Sequence, residues 1–169
     1  MQVIKYCMLF CVFILSNIIG NYIAKGYTFR LEELEEIRNA LNIFKTKIKF
    51  TYEPIPEIFT QISKNSSKNI SKLFLDAKEK MNKENAETAW EKSVDEMKSN
   101  LNEEDKQAIK TLSKLLGITD TEGQISQIEI TESFLEKQIR NAEEEKRKNE
   151  KLYKKLGTAI GLAIVIILV

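Results

Sequence analysis

Two cysteines, Cys7 and Cys11, stand four residues apart near the beginning of the chain. On a helix this spacing puts both thiols on one face, where they could share a metal ion or close a disulfide. Their setting, "YCMLFCVF", is apolar, and there small thiols serve as ordinary packing groups. The chain has no histidine, so the commonest metal ligand and proton shuttle is missing. Carboxylates are the other candidates for chemistry, in stretches such as "LEELEEIRN" and "NAEEEKRKNE". Acid–base work requires burial or like-charge crowding to move a carboxyl pKa. These acids have Lys and Arg close by, which points to solvated helix faces. Trp90 in "ETAWEKSV" could anchor a partner, but a lone Trp at helical spacing is expected in the core. The sequence holds no phosphate-binding loop, no dinucleotide fingerprint, no CxxC and no nucleophile elbow. The expectation is a non-enzyme that needs no cofactor and no metal.

The elements that would position these residues are helical. The chain of 169 residues carries only 6 Gly and 2 Pro, so turn punctuation is sparse and helices are favoured. Its 26 basic and 25 acidic residues nearly cancel, which argues against a nucleic-acid surface. Leu31, Leu34, Ile37, Leu41, Phe44 and Ile48 step by three or four and predict one helix face. "YEPIP" should end that helix, because Pro54 and Pro56 lack amide hydrogens. Pro56 suits the first turn of the next helix, with Ile58, Phe59 and Ile62 inward. After "KNSSKN" a third helix carries Ile70, Leu73, Phe74, Ala77 and Met81, and after "NKEN" a fourth carries Ala86, Trp90, Val94 and Met97. Asn102 is a cap for a fifth, whose first turn is loaded with Glu103, Glu104 and Asp105 and whose stripe is Ile109, Leu112, Leu115 and Leu116. Gly117 fits a left-handed helix end, and Asp120 caps the last helix. That helix carries Ile125, Ile128, Leu135, Ile139 and Ala142 at near-heptad spacing, interrupted by Glu132. Beyond Ala142 "EEEKRKNEK" has no apolar face, and it reads as a charged stalk.

Both ends are apolar. Tyr6 to Ala24 has about the length of a membrane-spanning helix, roughly 20 residues, and shows no A-x-A-like cleavage site, so an uncleaved anchor is expected. Leu156 to Val169 is uncharged, but fourteen helical residues rise only about 21 Å against roughly 30 Å of hydrocarbon. Its nine Leu, Ile and Val residues favour insertion by about 3 to 5 kcal/mol. Gly157, Thr158 and Gly161 work against that, so the tail is a marginal span that a first anchor would assist. Lys146, Arg147, Lys148, Lys151, Lys154 and Lys155 precede the tail, and basic flanks stay cytoplasmic. Residues 25–155 are therefore expected in the cytoplasm.

The reading is all-α: a small antiparallel helical bundle of about six helices flanked by N- and C-terminal transmembrane helices. The divisions are an anchor over 1–25, a bundle over 26–142, a stalk over 143–155 and a second membrane segment over 156–169.

The order of these pieces is itself informative. A short span leads to an amphipathic helix, "P-x-P-E" at Pro54 to Glu57, "AWEKSV" at Ala89 to Val94 and "LGITDTEGQ" at Leu116 to Gln124. A charged stretch and "KLYKKLGTAIGLAIVIILV" close the chain. This arrangement resembles the stage III sporulation protein AB family of endospore-forming bacteria over essentially the whole length. Thr119 stands where the family usually has Ser, and "NKENAETAW" lacks the expected Gly before Ala-Trp. The resemblance implies membership of the secretion-like assembly joining mother cell and forespore. It also implies likeness to the cytoplasmic domain of the type II secretion and pilus platform protein. Its implied partners are the sporulation ATPase AA, the other channel components and the mother-cell membrane around the forespore; an oligomer is left open.

Two functional readings follow. In the first, the chain is a membrane-anchored platform linking an ATPase to the membrane complex, with Glu53 and Glu57 among the candidate contact residues. In the second, it is a tethered sensor or regulator that self-associates through its C-terminal helix.

Overall fold

The structure, a computed structural model, describes residues 2–51, 53–117 and 120–168. Thr119, Val169 and the side chain of Leu115, all invoked above, lie outside the described residues. Among those described there are six α-helices and no strand: α1 (Gln2–Phe50), α2 (Ile55–Lys64), α3 (Lys68–Lys80), α4 (Ala86–Glu96), α5 (Glu103–Lys110) and α6 (Thr121–Leu168). A 3-10 turn, Thr111–Leu115, follows α5.

Local chemistry sets most boundaries. Pro54 precedes α2 in an extended conformation and Pro56 occupies its first turn, where a missing N–H costs nothing. Asn85 Oδ1 accepts from the Thr88 amide at 2.8 Å and opens α4. Asn102 and Asp105 form a reciprocal capping box at 2.8 and 2.9 Å, which satisfies two otherwise orphaned amides of α5. Gly117 has φ +73°, the left-handed conformation that glycine adopts most cheaply. Asp120 accepts from the Gly123 amide at 2.9 Å and starts α6.

The chain divides into two compact units, Met1–Leu31 with Asn141–Val169, and Glu32–Arg140. In the second, α2 packs on α3 and α3 on α4. Its centre is aromatic: Phe44 to Phe59 at 5.4 Å, Phe59 to Phe74 at 5.0 Å, and Trp90 within 5.6 Å of both Phe59 and Phe74. Four helices thus contribute one ring each to a single tilted cluster, a geometry that adds to plain area burial. Trp90 donates its indole N–H to the Ile109 carbonyl at 3.0 Å. It is a core residue and no surface anchor.

The seam of α6 in this unit runs through Ile128, Thr131, Leu135 and Ile139, all buried. Thr131 fills the place that an apolar-only pattern leaves blank. Its hydroxyl donates to the Gln127 carbonyl at 2.9 Å, so the polar atom is satisfied within its own helix. Glu132, the apparent interruption, takes an ion pair from Lys45 at 2.6 Å.

The acids of "LEELEEIRN" differ from the solvated face expected of them. Glu33 is buried and accepts from Asn69 Nδ2 at 3.0 Å and from the Asn100 amide at 2.8 Å. Glu36 accepts from the Ser67 amide, directly before α3. Burial of a carboxylate requires such donors, and here they fasten α1 to α3 and to the segment before α5.

Candidate functional site

Two places could carry function: the unit made by the chain's two ends, and the surface near Pro54. In the terminal unit the inner face of α1 presents Leu9, Gly20 and Ala24, all buried, with Ser16 and Asn17 half-buried between them. The α6 segment answers with buried Gly157 and Gly161 and half-buried Thr158.

The approach is close. A Cβ added at Gly20 would lie 2.9 Å from the Gly157 Cα, and one added at Gly157 would lie 2.9 Å from the Ser16 carbonyl oxygen. One at Gly161 would meet the Phe13 ring at 3.0 Å. Only hydrogen fits at Gly20 and Gly157, which lets two backbones touch as small residues do in membrane helix pairs, while at Gly161 the Phe13 and Ser16 side chains would have to give. The same contact places polar groups in reach. Ser16 Oγ donates to the Gly157 carbonyl at 2.7 Å. Thr158 Oγ1 donates to Asn17 Oδ1 at 2.7 Å, and Asn17 Nδ2 donates to the Phe13 carbonyl at 2.9 Å. Every one of these side chains finds a partner inside the pair, as an apolar solvent demands.

Beyond the uncharged stretches the pairing continues with aromatic and charged groups. Tyr27 and Tyr153 stack at 5.8 Å. Burial, reinforced by the hydrogen bond and charge of Tyr153 and by the Glu145 carboxylate, holds the Tyr27 hydroxyl above its ordinary pKa. Arg30 is buried and meets Glu145 at 2.7 Å. The charged stretch 143–155 therefore has a partner face along α1 in Tyr27 and Arg30. On its outer side Lys154 bonds Glu150 at 2.7 Å and holds that carboxyl below its ordinary range.

Over the uncharged stretches the outside of this unit is apolar. Ile4, Met8, Phe10, Leu15, Ile18, Ile19 and Ile23 on α1, and Ile160, Leu162 and Ile166 on α6, are all exposed. Among the described residues one helix, α1, is long and apolar enough to cross a membrane. Cys7 and Cys11 are free and exposed on it.

Glu53 and Glu57 sit differently. Glu53 is half-buried, meets Lys47 at 3.4 Å and accepts from Gln61. It braces the link between α1 and α2. Glu57 is exposed in the first turn of α2. No group of three or more potential metal ligands occurs among the described residues.

Sequence reasoning missed the pairing of the two ends. It counted Gly157, Thr158 and Gly161 only as obstacles to insertion. The spacing Ser16-x-x-x-Gly20 opposite Gly157-x-x-x-Gly161 was the available signal, since small residues four apart form a flat strip on a helix.

Comparison with known proteins decides what this arrangement belongs to. The model of the family "Stage III sporulation protein AB" matches residues 5–169. The chain belongs to the stage III sporulation protein AB family. Stage III sporulation protein AB of Bacillus subtilis (strain 168) is 30% identical over 153 residues, covering 88% of this chain and 90% of that protein. A solved structure of stage III sporulation protein AB superimposes with a TM-score of 0.62 at 25% identity, covering 70% of this chain and 96% of the other. Family membership thus spans both paired ends as well as the aromatic bundle.

Proposed function

We propose that this chain is a membrane-anchored, non-enzymatic platform of the secretion-like channel between mother cell and forespore, linking the sporulation ATPase AA to the membrane complex. The observation that carries this reading is the terminal unit. Along its uncharged stretches the polar side chains are satisfied inside and the outer ones are apolar, the inverse of a water-soluble helix pair. A marginal C-terminal span becomes tenable when its Gly and Thr residues pack and hydrogen-bond to a stronger first span. On this reading the membrane is that of the mother cell around the forespore, and the charged unit works in the cytoplasm.

The sensor alternative needs the near-heptad seam of α6 free to pair as a coiled coil with the same seam of a second copy. Ile128, Leu135, Ile139 and Ala142 are buried within this chain, which favours the platform. The test is co-purification of the full-length protein, in detergent, with ATPase AA. A complex that survives washing and weakens in Glu57→Lys supports the platform. Two folded proteins that never associate would overturn it.

A further inference from the structure

We propose that the groove between α5 and α6 receives the outer face of α3 from a second copy of this chain, in a head-to-tail contact. The groove encloses about 520 Å³, with Ala108 and Phe134 as its apolar surface and Glu104, Lys137 and Gln138 around them. Phe134 is 48% exposed. Gln138 is 8% exposed, yet its Oε1 is buried with no hydrogen-bond donor among the described residues. A buried acceptor left unpaired is costly, so this site lacks a donor. Glu104 and Lys137 have no ion-pair partner among the described residues.

The same chain carries a surface of matching chemistry. Lys68, Lys72, Leu75 and Glu79 recur at steps of four, three and four along α3 and are all exposed, so they form one stripe. Leu75 is 44% exposed at its middle. Lys68 and Glu79 have no ion-pair partner among the described residues, and Lys72 reaches Asp76 only at 4.0 Å. The groove reads acid, apolar, base from the α5 wall to the α6 wall. The stripe reads base, apolar, acid. Leu75 would cover Phe134, the lysines would supply Glu103 and Glu104 with donors, and Glu79 would answer Lys137. Amphipathic helices commonly bind grooves in this way.

Because the two faces differ, the contact is heterologous. Repeating it builds a ring or an open row of copies instead of a closed two-fold dimer. The surfaces are small by the standard of stable interfaces, so association is weak for dispersed chains and strong where membrane anchoring concentrates them. This goes beyond the ATPase reading, and neither depends on the other.

The test uses the full chain with Cys7→Ala and Cys11→Ala, reconstituted in phosphatidylethanolamine–phosphatidylglycerol vesicles without ATPase. One tagged preparation carries Leu75→Cys and a differently tagged one carries Phe134→Cys. Mild oxidation should give a mixed disulfide about fivefold above either preparation alone and above a Lys114→Cys with Glu122→Cys reference pair. Adding Glu104→Lys to the Phe134→Cys chain, or Lys72→Glu to the Leu75→Cys chain, should remove that excess. Combining the two charge-reversed chains should restore it. Circular dichroism establishes that each variant folds like its parent. A mixed yield no greater than the reference, insensitivity to charge reversal, or an excess of disulfide between two Phe134→Cys chains each overturns the proposal.

Discussion

The two units of this protein solve opposite packing problems with the same secondary structure. In the bundle, bulky rings meet inside and charges face out: Phe44, Phe59, Phe74 and Trp90 are all 0% exposed. In the terminal pair, glycines meet inside and Ile, Leu and Phe face out. In water, hiding large apolar surface is the driving force, so big side chains go to the centre. In lipid, that force vanishes between helices, and close backbone contact with satisfied polar groups replaces it. Along helix α1 the buried residues change from Gly20 and Ala24 in the terminal pair to Leu34, Leu41 and Phe44 in the bundle, the contrast that the proposed membrane anchoring would produce.

Each side of that contrast can be broken separately. The largest effect is expected from Phe59→Ala, since Phe59 touches three other rings. It should cost the bundle about 3 to 5 kcal/mol, read by chemical unfolding followed through Trp90 fluorescence, while leaving the terminal pair associated. Gly157→Leu should do the reverse. Overpacking of this kind typically costs about 1 to 3 kcal/mol, here borne by the terminal pair. Labelling of a cysteine introduced as Ile167→Cys, with Cys7→Ala and Cys11→Ala, from outside vesicles would report a displaced C-terminal segment, and the Trp90 signal should stay put. Glu33→Ala removes an acceptor from Asn69 and from the Asn100 amide and should destabilise the bundle by about 1 to 3 kcal/mol.

Smaller effects come from titration at the edge of the terminal pair. Tyr27 has a folded pKa above its unfolded value of 10.0. Its contribution is therefore complete below that value and is lost as pH rises through the higher folded one. Ultraviolet absorbance of the phenolate should show Tyr27 ionising late, and Tyr153→Phe should bring it earlier. Glu150 shifts the other way, so any contribution is present above the ordinary carboxylate range and fades as pH falls through the folded value. Its partner Lys154 is exposed, one turn away on the same helix. Glu150→Gln should leave the unfolding midpoint unchanged at physiological salt.

Much of the fold was legible because its signals are local. Pro54 and Pro56, the Asn102 box, Gly117 and Asp120 each act within one turn of where they stand. The apolar stripes of α1 through α5 follow a period that any helix must have. Trp90 fell inside as its spacing foretold. The candidate site was less legible. Glu33 and Glu32 look alike in sequence, yet one is buried under Asn69 and Asn100 and the other is exposed. Glu53 offers a charge to a partner on paper and braces Lys47 and Gln61 in the fold.

An all-helical protein with a charged middle and apolar ends is already written in the order of residues, because helix periodicity, caps and hydropathy are properties of near neighbours. That Ser16 meets Gly157 and Asn17 meets Thr158, partners 141 positions apart, emerges only in the packed chain. No local rule fixes which face of one helix lies against another. That choice is made where shape and hydrogen bonding are satisfied together, and glycine's missing side chain has meaning only once its neighbour is in place.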